Sequence, residues 1–394
     1  MKNVVGSPAR GTNFFPRQRE VDRIVERLQS ANNLQIAAPR RVGKTSILYH
    51  LLDNDIADFV YVYVDTESVD NGQDFFKKLL KEILKVKAVA QSNLLRNLMT
   101  AGNRFLSRIK SIKVAGQGLD FSEPENPDYY EELLHFLSGF ELEDGRKLVL
   151  LIDEFPQTIL NIVDASDGDL QPARRFLQAN RELRHQWEVN EKVRFIYTGS
   201  IGLNHTVASI NASAFVNDLS AVEVDALRPA EAATLIHEVL KERGMTMTQP
   251  VIDHLLGKIE WLIPFHIQLA LQEISDRADR GAAVSQQQVD EAFDHIVDLR
   301  NDNHFQHYHH RLKTQFKKER YDFVCAVLSE MATNVLLHRN RMFDLSLKHG
   351  VDGDFRQIID VLVYDGYINN SGNTAEYRFN SPIVRHWWER HICH

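Results

Sequence analysis

The chain has 394 residues, enough for two or three domains rather than one. It is 43% hydrophobic and 25% charged with a net charge of −8, the balance of a globular protein; the total gives no ground for a nucleic-acid or membrane partner. Its two cysteines form no disulfide framework, its first residues lack the apolar segment of a signal peptide, and no run approaches the roughly 20 apolar residues of a membrane span, so the expected location is the cytoplasm.

Residues 18–30 place Val21, Ile24, Val25 and Leu28 on one helical stripe. Leu34–Ala37 reads as a short strand, the segment from Lys44 to Leu52 as a helix, and Phe59–Val64, ending at Asp65, as a second strand. Strand, helix, strand predicts a parallel sheet wrapped by helices. Residues 73–112 look helical, 112–116 read as a further strand and 122–127 as a surface loop. Lys147–Ile152 is nearly all aliphatic, as a strand buried on both faces requires, and ends at Asp153-Glu154. A similar strand starts at Val193 and runs out into Thr198-Gly199-Ser200, and Val222–Val224 closes the sheet.

After Leu227-Arg228-Pro229 the pattern is helical, with single helices over 229–243, 248–259, 264–280 and 285–299. Pro229 stands near the start of the first and Ser285 can cap the last. Further on, helices are expected over 320–332, 341–348 and 354–364, then strands around 367–369 and 377–379 flanking Ser371-Gly372-Asn373. Helices followed by a hairpin fit a winged helix. The expected division is a core over 1–226, a helical lid over 227–300, a linker or helix over 301–319 and a winged-helix domain over 320–394.

Ala38-Pro39-Arg40-Arg41-Val42-Gly43-Lys44-Thr45 sits between a strand and a helix and fits G-x-x-x-x-G-K-[ST] at every position but the first. Ala38 stands where that pattern has glycine, and a positive φ there would cost alanine about 1–2 kcal/mol. The chemical end of the loop is intact. Gly43 lets the backbone approach phosphates, Lys44 supplies charge to the β- and γ-phosphates, the Thr45 hydroxyl can ligate Mg²⁺, and the helix N-terminus adds partial positive charge. Phosphoryl transfer also needs a carboxylate near the metal and a group that orients water; Asp153 suits the first role and Glu154 the second. A hydroxyl at Ser200, on the tip of a neighbouring strand, suits a sensor of the γ-phosphate.

These motifs, preceded by Phe14-Phe15-Pro16-Arg17-Gln18-Arg19-Glu20, resemble in order and spacing the archaeal-type ATPases of the STAND branch of AAA-related P-loop proteins. The resemblance implies an α/β fold: a P-loop parallel-sheet ATPase core followed by a helical lid domain and a C-terminal winged-helix domain. It implies ATP or ADP with Mg²⁺ as ligands. Phe15, Pro16 and Arg17 would touch base or ribose, and Arg41, Val42, Gly43, Lys44, Thr45 and Ser46 would surround the phosphates. Thr45 and Asp153 would serve the metal, Lys44, Glu154 and Ser200 the chemistry, and Pro264 matches the lid proline. The chain departs from the family pattern at Ala38, at Pro16 before Arg17, and at Leu262, where the lid motif has glycine. No arginine finger stands out among Arg181, Arg184 and Arg194.

Histidines gather at His304, His307, His309 and His310, in a segment polar enough to read as a solvated helix or linker rather than a metal site. Residues 321–394 hold seven Lys and Arg against nine Asp and Glu, which favours a protein contact or self-association over DNA for the winged-helix region. The expected function is an ATP-hydrolysing switch that couples nucleotide state to lid and winged-helix rearrangement. The rivals are a replication-initiator-like DNA-binding ATPase and a non-catalytic scaffold that holds ADP.

Overall fold

The computed structural model describes residues 1–54, 56, 58–90, 128–142, 144–278, 281, 283–370, 372–373 and 375–393. The strand expected over 112–116, the loop over 122–127 and the helical stretch 91–112 lie outside the described residues. The chain divides into two compact units. One contains Pro16–Ala37 and Lys44–Val224; the other contains Met1–Phe15, Ala38–Gly43 and Asp225–His394.

The first unit is an α/β layer. Its helices and strands run α1 (Gln18–Gln29), β1 (Leu34–Ala37), α2 (Lys44–Asp53), β2 (Phe59–Asp65), α3 (Gly72–Leu84), α4 (Lys87–Ala90) and α5 (Tyr129–Gly139). They continue with β3 (Lys147–Asp153), α6 (Phe155–Ala165), α7 (Leu170–His185), α8 (Trp187–Lys192), β4 (Val193–Thr198), α9 (Leu203–Ser209) and β5 (Ser220–Glu223). The five strands form one parallel sheet in the order β2-β3-β4-β1-β5. Every β4 residue is buried, and so is every β3 residue after Lys147, as expected for strands covered on both faces. Helices α3 and α5 to α7 bury Phe75, Phe136, Phe155 and Phe176 with Tyr197 of β4 in one core cluster; the Phe155 and Tyr197 rings lie 4.5 Å apart.

Because β3, β4 and β1 are consecutive in the sheet, the segments that follow them leave side by side at its carboxyl edge. Open parallel sheets bind ligands at that edge. Helices α5 to α9 were not assigned from sequence. Of these, α7 is anchored by Arg184, which is buried and pairs with Asp218 at 2.7 Å while donating to the Phe215 carbonyl. That engagement makes Arg184 a structural residue of this unit.

In the second unit the four helices after Pro229 are α10 (Pro229–Glu242), α11 (Gln249–Ile259), α12 (Pro264–Arg277) and α13 (Gln286–His295). The last two are shorter than their expected spans. Ser285 caps α13 in a capping box with Gln288. Then come α14 (Gln306–Gln315), α15 (Glu319–Asn334), β6 (Leu336–His338), α16 (Arg339–Lys348), α17 (Phe355–Tyr364), β7 (Ile368–Asn369), β8 (Glu376–Phe379) and α18 (Pro382–His391). Strands β6, β8 and β7 make an antiparallel sheet in that order. Helix, strand, two helices and a hairpin follow in the order expected over 320–379, with β6 added.

The segment around α14 differs from the solvated helix or linker expected of it. Phe305, Tyr308 and Leu312 are buried, and Arg311 is buried in an ion pair with Asp365 at 2.9 Å. Polar composition concealed an apolar stripe at helical spacing. Among the described residues, no helix is long and apolar enough to cross a membrane.

Candidate functional site

The P-loop residues divide between the units. Lys44, Thr45 and Ser46 open α2 in the first, and Ala38–Gly43 group with the second. The expected strain at Ala38 does not occur. Its φ is not positive; the left-handed positions are Arg41, at +67°, and Gly43, at +104°. Only the second of these carries the glycine that such a backbone favours.

In the first unit, the end of β3 is the organising element. Asp153 is 3% exposed, and each of its oxygens is engaged. Thr45 Oγ1 donates to Oδ2 at 2.9 Å and the Tyr63 hydroxyl donates to the same atom at 3.1 Å. The Glu154 backbone N–H donates to Oδ1 at 3.1 Å. Burial and the neighbouring Glu154 raise the Asp153 carboxyl to about 6; the Thr45 bond, the Lys44 charge and the Tyr63 bond oppose them. The Asp153 carbonyl accepts from both the N–H and the hydroxyl of Thr66, and Thr158 donates to the Thr66 carbonyl, so the strand end is fixed from α6 as well.

Glu154 follows in the left-handed conformation, at φ 58° and ψ 31°, just before α6. That conformation costs a non-glycine residue about 1–2 kcal/mol and is concentrated at functional sites. Its carboxylate is held: Oε2 accepts from both the N–H and the hydroxyl of Ser200, each at 2.9 Å. Gly199 makes the approach feasible, because a Cβ there would stand 2.5 Å from Pro156 Cδ. The Ser200 hydroxyl is thus committed to Glu154 in this structure.

Arg17 is also committed. It is buried and pairs with buried Glu20 in a two-pronged ion pair, with Nη2 3.0 Å from Oε1 and Nε 3.3 Å from Oε2. Pro16 is exposed in this unit.

In the second unit, Phe15 is half-buried and Pro264 opens α12 at the first helical turn. Val42 is buried, and the Arg41 guanidinium lies over the Phe265 ring at 4.5 Å and donates to the Gly6 carbonyl at 3.3 Å. Pro39 meets the turn after α17, where a Cβ on Gly366 would stand 2.8 Å from Pro39 Cβ and 2.9 Å from the Trp261 ring. Tyr308 and His307 lie near Arg40, Arg41 and Arg311. Among the described residues, the Tyr308 hydroxyl and both His307 ring nitrogens are buried with no hydrogen-bond partner, and burial together with Arg41 pushes His307 down to about 2.

Structure thus brings together Lys44, Thr45, Asp153, Glu154 and Ser200 in the first unit. Sequence reasoning missed Tyr63, Thr66 and Thr158. A signal existed for Tyr63: a tyrosine in an otherwise apolar buried strand needs a partner for its hydroxyl.

No protein-family profile matches the chain. An erythronate-4-phosphate dehydrogenase of Colwellia psychrerythraea is 28% identical over 138 residues, which is 35% of this chain and 33% of that protein. An uncharacterized ATP-binding protein of Methanocaldococcus jannaschii is 26% identical over 165 residues, 38% of this chain and 41% of that protein. The aligned regions span about a third and about two fifths of these relatives' own lengths. Among solved structures, a Walker-type ATPase of Pyrococcus abyssi superposes with a TM-score of 0.63 at 13% identity, covering 98% of this chain and 99% of that one. The ORC2 protein of Aeropyrum pernix, solved with ADPNP and ADP, gives a TM-score of 0.52 at 13% identity, covering 95% and 93%. Likeness at this identity shows the fold alone. The fold is that of P-loop ATPases, a parallel-sheet core with a helical C-terminal region.

Proposed function

We propose that the chain binds ATP with Mg²⁺ and hydrolyses it slowly, as a STAND-type switch. One observation carries the reading: Thr45 Oγ1, at the start of α2, donates to Asp153 Oδ2 at the end of β3 at 2.9 Å. This joins the loop that would hold phosphates to the carboxylate that would serve a metal, 108 residues away in sequence. The donor set is a hydroxyl and a carboxylate, hard oxygens that suit Mg²⁺. Asp153 also lies buried with Glu154 beside it, a local excess of negative charge that a divalent cation would relieve. When bound, Mg²⁺ neutralises charge on the phosphate oxygens.

Lys44 would supply a fixed positive charge to the β- and γ-phosphates, and the backbone from Arg41 to Ser46 would cradle them. Phe15 and Pro16 remain the residues offered to the base. Arg17 would act by fixing the start of α1 through Glu20. Glu154 would align the attacking water; in the structure its Oε2 is held by Ser200. A resting state in which the base is held by two hydrogen bonds would make turnover slow. Residues 227–300, with Pro264, would form the lid, and 320–394 a winged helix that contacts a protein partner.

Phosphate release by the wild type and by Lys44→Ala and Glu154→Gln tests the reading. Each substitution should lower turnover by about 100-fold or more, the range for loss of a general base or phosphate ligand. Equal release by all three proteins sinks it. The hold of Ser200 on Glu154 also favours a second reading, a scaffold that keeps ADP without turnover. Tightly co-purified ADP with no phosphate release by the wild type would select that one.

A further inference from the structure

We infer that Tyr63 is a positioning residue for the metal carboxylate, holding Asp153 in the orientation that serves Mg²⁺. The inference rests on the nucleotide-binding reading above. Asp153 is fixed by three donors from three elements: Thr45 of α2 and Tyr63 of β2 on Oδ2, and the Glu154 N–H at the β3–α6 corner on Oδ1. These donors are not equivalent. The Thr45 oxygen is itself a candidate metal ligand, so its hold on Asp153 would change when a metal is bound. The Glu154 N–H belongs to a left-handed residue next to the carboxylate it binds and holds only the other oxygen. Tyr63 is the side chain that fixes Oδ2 from outside the loop.

Its own position is set by the sheet. Strands β2 and β3 pair in register, with Tyr63 opposite Leu151 and Asp65 opposite Asp153, which brings the hydroxyl to 3.1 Å from Oδ2. The Tyr63 ring also packs against Tyr49 of α2, with centroids 5.0 Å apart. Groups that hydrogen-bond a metal ligand from behind set its orientation, and losing one typically weakens metal binding by one to two orders of magnitude.

The test is equilibrium binding of a fluorescent ATP analogue to the full chain, in EDTA and across a Mg²⁺ titration. Tyr63→Phe keeps the ring and removes the hydroxyl. It should raise the half-saturating Mg²⁺ concentration about tenfold while leaving affinity in EDTA within about twofold. Tyr61→Phe, which removes a hydroxyl on the same strand that donates to the Ile56 carbonyl, should leave the Mg²⁺ titration unchanged. Thermal unfolding without metal guards against a folding defect, and the EPR spectrum of Mn²⁺ bound with ADP should change in Tyr63→Phe alone. An unchanged Mg²⁺ titration in Tyr63→Phe overturns the inference, and so does an equal loss of affinity in EDTA. A wild type whose nucleotide binding ignores Mg²⁺ overturns the proposed function with it; a Mg²⁺-dependent wild type with an unaffected Tyr63→Phe removes this inference alone.

Discussion

At the level of single residues, the carboxyl edge of the sheet is built on one backbone constraint. Glu154 occupies the left-handed region, and its side chain then reaches Ser200, whose position depends on the absence of a side chain at Gly199. Adding a methyl group there places carbon 2.5 Å from Pro156 Cδ, a proline ring that cannot rotate away. Gly199→Ala should therefore cost about 1–3 kcal/mol, the usual range for overpacking. It should also separate Ser200 from Glu154. Thermal unfolding checks the first effect. For the second, phosphate release separates two roles for Ser200: a rise in basal release identifies it as a restraint on Glu154, and a fall identifies it as part of the reacting set. An unchanged melting temperature would show that the Pro156 contact relaxes.

At the level of elements, legibility followed burial. Strand β3 was readable because a strand covered on both faces is almost wholly aliphatic, and Leu148 to Ile152 are. The phosphate loop was readable because its chemistry is local, within eight residues. Tyr63 was not, because its partner lies 90 residues away and register alone joins them. The β6 strand was hidden for the same reason; three residues pair with a strand some 40 positions on. In α14 the stripe of Phe305, Tyr308 and Leu312 was present, but the surrounding histidines made it look solvated. Buried histidines have a measurable consequence in the neighbouring α12. His266 is 0% exposed, and burial, reinforced by Arg41 and opposed by a bond with the Trp261 backbone, pushes it down to about 3. A histidine depressed in the folded state contributes stability above its unfolded pKa, and that stability is lost as pH falls from about 6.5 toward 3. Between pH 7 and pH 5 the loss from this group is about 2 kcal/mol, since each pH unit below the unfolded value is worth ~1.4 kcal/mol. Unfolding by denaturant at the two pH values should show a loss smaller by about that amount in His266→Gln. An identical pH dependence would mean that the group titrates normally in the folded chain.

At the level of the whole molecule, the chain does not assign one contiguous stretch to each unit. The second unit is assembled from Met1–Phe15, the loop Ala38–Gly43 and everything from Asp225 onward. Six residues of the phosphate loop are therefore part of the packing of the helical unit as well as part of a ligand loop. Arg41 is the side chain that expresses this: it covers Phe265 at 4.5 Å and donates to the Gly6 carbonyl at 3.3 Å, so it links all three segments. Burial lowers its pKa, opposed by Tyr308 and reinforced by Arg40, and a desolvated cation over an aromatic ring is worth about 2 kcal/mol. Arg41→Ala should destabilise the helical unit by roughly that amount, plus whatever the Gly6 bond contributes, about 1 kcal/mol. The chain carries its own reporter. Trp261, Trp387 and Trp388 all lie in this unit, whereas Trp187, in the sheet unit, is 69% exposed and insensitive to packing. Tryptophan fluorescence during denaturant unfolding therefore follows the helical unit selectively, and its midpoint should fall in Arg41→Ala. Lys44→Ala, which alters a residue three positions further along the same motif but a side chain of the sheet unit, should leave that midpoint in place. If both substitutions moved it equally, the phosphate loop would be a single structural element, and the division of its residues between two packing environments would be wrong.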